Sequence, residues 1–539
     1  MPSWEGLYFE APRTEKVGDN GMSSSQCVLV CVSVSQCVSV RVSADRNRNM
    51  FLLLLLLGLL SLLWLLSPRS RRDGEPPLIT GWIPFIGKAL EFSRDAHKFV
   101  EEQKEKFGDV FTVLIAGKYM TFIMDPLVYP SIIKHGQQLD FSEFTNTAAA
   151  FAFGYPPMVN RKFPGLKEEI TRSFKLLQGD NLTALTESMM GNLILVLRQD
   201  HLREDGWKSG SMYQFCNAVM FEASFLTFYG KPPTANRHAG MELLREDFVK
   251  FDNVFPFLIA QVPIWLLGRT RTIREKLISY FLPHRISCWS NTSQFVRRRM
   301  EVFDHFGSLS DFDKAAHHFG ILWASVGNTI PACFWTLYQL LRHPEALQVI
   351  RQEIQDTLRL SGLDFDRDVK LSKEQLDKLL YLESAINESF RLSSASMNIR
   401  VSKEDFSLQL DAERTVAVRK GDIIAMFPQS MHLDPEIYEE PQTFQFDRFI
   451  QDGRPRTGFY KRGQKLKYYL MPFGSGSSIC PGRFIAISEI KQFLCLLLLH
   501  FDLQLEDGQT TATPDPRRVG LGVPPPTTDV HFRYRVRKV

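Results

Sequence analysis

The chain has 539 residues, and its 64 lysines and arginines nearly balance its 60 aspartates and glutamates, so its formal net charge is only +4. A chain with this balance has no basic surface of the kind that binds nucleic acid, and we expect no nucleic-acid partner. Hydrophobic residues make up 44% of the chain and charged residues 23%, which excludes an intrinsically disordered protein. Its eight cysteines show no paired spacing after Cys37, which indicates a reducing compartment rather than a disulfide framework.

Residues 1–49 differ in composition from the rest of the chain. They contain a low-complexity repeat of valine, serine and cysteine between Cys27 and Arg41, and the repeat precedes a second methionine, Met50. Two interpretations are open: a metal-binding or palmitoylated extension, or a segment upstream of the natural start that a gene model has included. We favour the second, because the sequence from Met50 onward begins directly with a membrane-targeting pattern.

Residues 50–66, MFLLLLLLGLLSLLWLL, form an apolar run broken only by Gly58 and Ser61. At about 1.5 Å per residue, such a helix covers most of the ~30 Å hydrocarbon core of a bilayer. Basic residues follow at once, at Arg69, Arg71 and Arg72, and they favour a cytosolic location for the downstream part of the chain. We predict a single transmembrane anchor rather than a cleaved signal peptide, because no small-residue cleavage site follows the run.

A basic, proline-rich leader at 67–84 precedes a globular body at 85–539. Within the body, the spacing of apolar residues predicts helices at 95–107, 166–200, 211–229, 241–252, 313–343, 344–361, 372–392 and about 483–500. Strands are predicted as a hairpin at 110–115 and 119–124, and as short strands within 398–427. The pattern is that of a mainly α protein with a small β region.

The segment 253–268, NVFPFLIAQVPIWLLG, is strongly apolar but too short to span a bilayer. Pro256 and Pro263 interrupt it. It is either a buried helix pair or a hydrophobic flap that touches the membrane surface, and the sequence does not choose between the two.

The segment 473–483, FGSGSSICPGR, combines a glycine-rich loop with a cysteine that opens an apolar helix. The first amides of that helix and its dipole point toward the Cys480 sulfur and favour thiolate over thiol. Gly474, Gly476 and Gly482 let the backbone approach a flat cofactor closely. A thiolate held in this way is a proximal ligand for haem iron. Taken alone, Cys480 would be interpreted as a buried structural cysteine.

Three charged residues before this loop strengthen the haem interpretation. Glu388 and Arg391 lie on one helical face, and Arg448 in the segment FDRF could complete a charge network. Such a triple is common on solvated surfaces, but together with Cys480 it resembles the constellation of the cytochrome P-450 superfamily. The resemblance covers about residues 75–539.

The predicted helix 313–343 contains the sequence ASVGNTIP at 324–331. Pro331 cannot donate to the carbonyl of Gly327, so we expect the helix to open there and the Thr329 hydroxyl to relay protons beside the opening. The alternative is that Thr329 only bonds back within its own helix. Superfamily members usually carry an acid before this threonine, whereas this chain has Asn328, which we expect to hold a water molecule.

The resemblance also implies which residues surround the haem. It places Cys480 on the iron as its axial ligand and puts the following residues at the cofactor: Phe473, Gly476, Gly482, Arg400 and Ser478. Ser478 is a departure, because the superfamily usually has an arginine there that pairs with a haem propionate. Arg400 matches another propionate-binding position, although a surface charge on a strand is the alternative.

Within the superfamily, several segments resemble the sterol 7α-hydroxylases: WASVGNTIP at 323–331, LSSAS at 392–396 and KLKYYLMPFGSG at 465–476. AHHFGILWASV at 316–326, LLRHPEA at 340–346 and FYKRG at 459–463 resemble the oxysterol branch. We expect the chain to be more similar to that branch than to the cholesterol branch, toward which SASMNIR at 394–400 points. The resemblance implies a helical prism with a small β subdomain, haem b, and electrons from NADPH through cytochrome P-450 reductase. It also implies a sterol or oxysterol substrate and a location in the endoplasmic reticulum membrane, with the catalytic domain in the cytosol.

Trp323 and Ala324 are candidates for the substrate pocket, and the small, apolar and aromatic segment 144–157 could form a facing wall. Ordinary core packing explains the same residues equally well. Four basic residues just before the cysteine loop could dock an acidic reductase surface, namely Lys461, Arg462, Lys465 and Lys467. Alternatively, these four residues form a solvated face.

Two other functions compete with hydroxylation. A haem-thiolate isomerase like prostacyclin synthase also lacks the acid and needs no oxygen activation. A membrane-tethered sterol-binding protein could have kept the fold and lost catalysis, but the presence of Cys480, Glu388, Arg391 and Thr329 argues against it.

Overall fold

The computed structural model describes residues 50–62, 67–202, 206–233, 237–363, 369–509 and 511–537. The chain divides into two compact units, Met1–Ser67 and Pro68–Val539. In the first unit, residues 50–62 form helix α1. Within the described ranges, no helix has both the length and the apolar character that a membrane crossing requires, so the predicted anchor is not confirmed. Residues 63–66 of that anchor and the extension at 1–49 lie outside the described residues.

The second unit is mainly helical, as predicted. Its helices are α2 (Ala89–Arg94), α3 (Ala96–Phe107), α4 (Tyr129–Lys134), α5 (Ser142–Phe144), α6 (Ala150–Phe153), α7 (Leu166–Ser173), α8 (Asp180–Asp200), α9 (Met212–Tyr229), α10 (Arg237–Ile259), α11 (Thr270–Tyr280), α12 (Pro283–Ile286), α13 (Gln294–His305), α14 (Asp311–Val326), α15 (Thr329–Arg342), α16 (Pro344–Leu360), α17 (Lys373–Asp377), α18 (Leu380–Ser393), α19 (Pro428–His432) and α20 (Arg483–His500).

Small sheets accompany the helices. The strands are β1 (Leu78–Ile79), β2 (Val110–Ile115), β3 (Lys118–Ile123), β4 (Leu139–Asp140), β5 (Lys208–Ser211), β6 (Asn398–Ser402), β7 (Phe406–Gln409), β8 (Thr415–Val418), β9 (Ile423–Met426), β10 (Ile450–Gln451), β11 (Arg454–Pro455), β12 (Tyr460–Lys461), β13 (Gln464–Lys465), β14 (Phe501–Leu505) and β15 (His531–Val536). The largest sheet has the order β1-β2-β3-β9-β6-β4, and β14-β15-β5 form a second one. The predicted hairpin is present as β2 and β3, with Val110 opposite Ile123.

Helix α20 lies in the largest apolar core. Its side chains from Ser488 to His500 are all buried. The helix is apolar on nearly every side, and a helix of this kind packs in the interior of a protein. It packs against α8, α15 and α16. Because Cys480 stands just before α20, this packing fixes the position of the cysteine loop.

The predicted helix 313–343 is two helices, α14 and α15, with the break at Gly327 and Asn328. The last bond of α14 runs from the Gly327 N–H to the Trp323 carbonyl at 2.8 Å, and α15 resumes with the Ala332 N–H bonded to the Asn328 carbonyl at 3.1 Å. Pro331 has no N–H to donate to the Gly327 carbonyl, which accounts for the position of the break.

Three other helix predictions differ from the structure. The predicted helix 372–392 is two helices, α17 and α18. The predicted helix 166–200 is divided between α7 and α8, and Gly179, just before α8, has a φ of +63° that ends any continuous helix. Helix α10 extends past the predicted end at residue 252 and continues through Pro256 to Ile259.

The apolar segment 253–268 is not a buried helix pair, the first of the two predicted alternatives. Phe255 and Leu258 at the end of α10 are buried, whereas Phe257, Trp265 and Leu266 are exposed, Trp265 to 75%. Its last residues form a short 3₁₀ turn, Ile264–Leu266.

The leader at 67–84 is tied to the body by ion pairs and by strand β1. Arg69 forms a bidentate pair with Asp422 at 2.6 Å. Glu75 pairs with Arg419, and the guanidinium of Arg419 lowers the pKa of the Glu75 carboxyl to about 2. The leader is therefore held by specific contacts and does not behave as a free linker.

Candidate active site

The cysteine loop presents a half-buried thiol at the start of α20. The Cys480 N–H donates to the Phe473 carbonyl at 2.8 Å, which closes the loop. Burial raises the pKa of the Cys480 thiol, while a hydrogen bond from the Gly482 N–H and the charge of Arg483 act in the opposite direction. The predicted helix-start contacts are thus present, but burial outweighs them. A coordinating metal ion would be needed to hold the sulfur as a thiolate.

Glycines shape this loop in unequal ways. Gly476 has a φ of +59°, and a Cβ there would lie 2.6 Å from Ile133 Cγ2. Gly474 has a φ of +74°, and its Cβ would lie 3.1 Å from Asn398 Oδ1. Gly482 has a φ of −88°, and a Cβ there would make an ordinary contact, 3.9 Å from the Cys480 sulfur. The loop therefore requires glycine at 476 and 474, whereas the backbone does not require it at 482.

Arg400 is buried on β6 and reaches the cysteine loop. Its Nη2 donates to the Ser475 carbonyl at 2.8 Å and its Nη1 to the Ile399 carbonyl at 2.7 Å. The alternative of a surface charge is therefore wrong. Ser478 is half-buried, and its hydroxyl bonds back to the same Ser475 carbonyl at 3.2 Å. Phe473 packs edge-on against Phe390 of α18, with ring centroids 5.2 Å apart.

The structure brings Glu388, Arg391 and Arg448 together in a fully buried network. Arg391 Nε and Nη2 each lie 2.8 Å from a Glu388 carboxylate oxygen, and Arg448 Nε lies 2.9 Å from Oε1. Arg391 Nη1 also donates to the His432 carbonyl at 2.7 Å. The Met471 N–H in turn donates to His432 Nε2 at 3.1 Å. The network thus holds His432 in place, and His432 in turn binds the segment that leads into the cysteine loop.

Thr329 is the first residue of α15 and is buried. Among the residues that the structure describes, none forms a hydrogen bond with its hydroxyl, so the alternative of back-bonding within the helix does not apply. Asn328 is engaged differently from the water-holding role that we expected: its Oδ1 accepts a hydrogen bond from the Val523 N–H at 2.9 Å.

The helix break and the cysteine loop are connected through the C-terminal loop, residues 515–523. The Gly522 carbonyl, next to Val523, accepts a bond from the Ala395 N–H at 2.9 Å. The neighbouring Ser396 hydroxyl donates to the Pro472 carbonyl at 3.1 Å. Pro472 directly precedes Phe473. The segments that carry Thr329 and Cys480 are therefore linked by a short series of hydrogen bonds.

Of the two pocket candidates, Trp323 is half-buried and Ala324 is exposed. The indole of Trp323 stacks on Phe255 of α10, with ring centroids 4.0 Å apart, and its Nε1 donates to Asp252 Oδ1 at 2.7 Å. Asp252 also pairs with Arg518. Neither Asp252 nor Arg518 was predicted from the sequence. Pro256, which stands one helical turn after Asp252, was the available signal, because it leaves the Asp252 carbonyl without a partner within the helix.

The residues around the cysteine loop fit a haem. Two buried polar atoms there have no partner among the described residues, Ser475 Oγ and Asn398 Nδ2. Arg400 contributes a buried cation beside the same loop. Three features match three properties of haem. The sulfur, which needs a metal to become a thiolate, matches the iron, and the glycines match the flat ring. The adjacent guanidinium matches the anionic propionates at the edge of the ring.

The predicted basic docking run is only partly free. Lys461 forms ion pairs with Asp434 at 2.6 Å and Glu436 at 3.0 Å, and Arg462 pairs with the buried Asp125 at 2.5 Å. These two residues are neutralised within the chain. The other two, Lys465 and Lys467, are exposed.

Comparison with known proteins agrees with this site. The family model described as Cytochrome P450 matches residues 76–532. The chain is 43% identical over 484 residues to cytochrome P450 7A1 of Oryctolagus cuniculus, an alignment that covers 88% of this chain and 96% of that protein. It is 42% identical over 487 residues to cholesterol 7-alpha-monooxygenase of Cricetulus griseus (88% and 96% covered). It is 38% identical over 413 residues to 25-hydroxycholesterol 7-alpha-hydroxylase of Rattus norvegicus (76% and 99% covered). The chain belongs to the cytochrome P450 family.

Proposed function

We propose that this protein is a haem-thiolate monooxygenase that hydroxylates a sterol or an oxysterol at the 7α position. As a member of the cytochrome P450 family, it binds haem b and receives electrons from NADPH through cytochrome P450 reductase. The observation that carries the proposal is the linked pair of sites: a cysteine thiol at the start of α20, and at the break between α14 and α15 a threonine hydroxyl that has no hydrogen-bond partner among the described residues.

In this proposal, the Cys480 thiolate would hold the haem iron. Gly474 and Gly476 would let the backbone of the loop approach the cofactor closely, and Arg400 would pair with a propionate. Ser478 carries no charge and would not take the place of the arginine that is usual at its position. When bound, haem iron with a thiolate ligand supplies the activation of molecular oxygen that C–H hydroxylation needs.

Thr329 is proposed to hold a proton at the helix break. Its hydroxyl is an O–H donor that can rotate, and among the described residues it has no hydrogen-bond partner that it would first have to release. Asn328 does not transfer a proton near neutral pH. Its contribution is to hold the C-terminal loop against the helix break, through the bond to Val523.

The sterol class of the substrate rests on the named relatives, which act on cholesterol and 25-hydroxycholesterol according to their names. Because the identities to these two relatives are 42% and 38%, both sterols belong in the substrate panel. The exposed Ala324 and the half-buried Trp323 are proposed to line the sterol pocket.

Product analysis tests this function. The full chain is incubated with reductase, NADPH, oxygen and a panel that contains cholesterol and 25-hydroxycholesterol, and we expect a 7α-hydroxylated sterol. A rearranged product of unchanged composition that forms without NADPH and oxygen would instead support a haem-thiolate isomerase. Sterol that binds without any turnover would support an inactive sterol-binding protein.

We further propose that the chain is a single-pass protein of the endoplasmic reticulum membrane with its body in the cytosol. The apolar run 50–66 would be the anchor, and the exposed Phe257, Trp265 and Leu266 would rest on the lipid surface.

Carbonate extraction of microsomes tests the anchor: the full chain should stay in the pellet. The double variant Trp265→Ser/Leu266→Ser should weaken binding of a chain without 50–66 to lipid vesicles, whereas Leu360→Ser, at another exposed leucine, should not.

A further inference from the structure

We propose that Asp252, Arg518 and Trp323 form a latch between helix α10 and the C-terminal loop 515–523, and that opening of this latch sets the rate at which a ligand exchanges with the site beside the helix break. The inference rests on the proposed function only in taking a sterol as the exchanging ligand. The geometry of the three side chains does not depend on it.

The latch begins with a gap in the hydrogen bonding of α10. Pro256 lies inside this helix and has no N–H to donate to the Asp252 carbonyl. Arg518 Nη2 fills the gap by donating to that carbonyl at 2.7 Å. The same guanidinium binds the Asp252 carboxylate, with Nη2 2.5 Å from Oδ2 and Nη1 3.1 Å from Oδ1. One arginine therefore satisfies both the backbone and the side chain of Asp252.

Trp323 connects Asp252 and helix α10 to the helix break. Its Nε1 donates to Asp252 Oδ1 at 2.7 Å, and its ring stacks on Phe255 of α10 at 4.0 Å. On the other side, a Cβ on Gly327 would lie 3.3 Å from indole Cε2, so the ring lies against the break itself. Movement of α10 would thus remove a hydrogen bond and an aromatic contact from Trp323, whose ring lies against Gly327, two residues before Thr329.

The loop is the fixed partner of the latch. Its Val523 N–H is bonded to Asn328, and its Gly520 N–H donates to the Ala395 carbonyl at 2.7 Å. In the described part of the chain, the polar contacts between α10 and this loop are those of Asp252 with Arg518. A displacement of α10 away from the loop must therefore break this one ion pair.

The charges make the closed state strongly preferred and still reversible. The side chains of Arg518 and Asp252 are only 7% and 16% exposed, so the pair is poorly screened by solvent while it is closed. Separation with one group still buried would leave an uncompensated charge, which is costly. If α10 moves away from the loop, water hydrates both charged groups at the same time. The ion pair therefore has two states, closed and paired or open and hydrated.

The test compares two neighbouring arginines in the holoenzyme. Arg518→Gln removes the latch, and Arg517→Gln is the matched control, because Arg517 pairs with Asp515 and is exposed. Sterol dissociation into excess phosphatidylcholine vesicles is followed by the haem absorption shift, and amide hydrogen exchange in α10 and in 515–523 is measured without sterol. We expect Arg518→Gln to raise the dissociation rate and the amide exchange about ten-fold or more, and Arg517→Gln to leave both unchanged.

Arg518→Lys keeps the charge but loses the bidentate geometry, so its rates should lie between those of wild type and Arg518→Gln. This variant replaces Arg518→Gln if the latter does not fold. Equal rates for the Arg518 variants and Arg517→Gln would overturn the latch. If no sterol shifts the haem absorption of the wild type, the proposed function fails, whereas the amide exchange still decides whether the latch exists.

Discussion

Asn328 holds the C-terminal loop: its Oδ1 accepts a hydrogen bond from the Val523 N–H at 2.9 Å. The loop passes so close that a Cβ on the preceding Gly522 would lie 2.2 Å from the same oxygen. The amide that replaces the usual acid of the superfamily thus has a structural partner, and proton handling falls to the neighbouring Thr329.

Asn328→Leu should therefore lower the free energy of unfolding by about 1–3 kcal/mol, because it leaves the Val523 N–H without an acceptor. Asn328→Asp keeps an acceptor oxygen and should lose much less. Denaturant unfolding of the two variants measures the difference. Equal losses would show that the bond to Val523 does not contribute to stability.

Thr329→Ala should retain haem and sterol binding but yield less hydroxylated sterol for each NADPH oxidised, with peroxide formed instead. The reason is that the variant removes the hydroxyl at the start of α15, for which the described part of the chain offers no hydrogen-bond partner. Thr329→Ser should restore most of the coupling. Thr336→Ala is the matched control, because the Thr336 hydroxyl is already bonded to the Ala332 carbonyl at 2.8 Å. Coupling like that of wild type in Thr329→Ala would contradict the assignment.

Cys480→Ala should abolish the thiolate-type Soret band of the reduced carbon monoxide complex, because the thiolate sets the electronic character of the iron. Cys288→Ala, at an exposed free cysteine, should leave the band unchanged. A normal band in Cys480→Ala would mean that another cysteine ligates the iron.

His432 should make the protein sensitive to acid. It is fully buried, and burial together with the charge of Arg391 lowers its pKa to about 3. Because the folded pKa lies below the unfolded value of about 6.5, this residue contributes stability above pH 6.5 that is lost as the pH falls. The loss at pH 5.5 should be about 1.4 kcal/mol.

His432→Asn should remove that share of the acid sensitivity, although it is less stable at pH 7.5 because Met471 loses its acceptor. The measurement is the free energy of unfolding at pH 7.5 and 5.5, with His305→Asn as an exposed control. An unchanged difference between the two pH values in His432→Asn would exclude His432 as the titrating group.

Charge reversals in the basic run should affect either docking of the reductase or the stability of the fold, depending on which residue is changed. Lys465→Glu/Lys467→Glu changes two exposed cations, and we expect slower electron transfer from the reductase with a weaker dependence on salt. Lys461→Glu instead breaks ion pairs with Asp434 and Glu436 and should mainly lower stability. Stopped-flow reduction and denaturant unfolding measure the two effects. If the first variant is reduced at the wild-type rate at low salt, these basic residues do not dock the reductase and form only a solvated face.

Local chemistry could be predicted from the sequence because it depends on residues that are close along the chain. The break at Gly327 follows from the missing N–H of Pro331, and helix α20 follows from its apolar composition. The pairing of Glu388 with Arg391 follows from helical spacing, and it is present with two contacts of 2.8 Å.

Contacts between distant segments were decided only by the tertiary structure. Nothing near Asn328 in the sequence indicates Val523, and Lys461 looks like a free cation until Asp434 and Glu436 fold against it. Arg518 and Asp252 are likewise far apart in the sequence, and the packing of α10 beside the C-terminal loop brings them together. The sequence by itself determined the cysteine loop, the helix break and the family, because spacing along the chain encodes them. The partners that hold these parts together depend on which surfaces the folded core brings into contact.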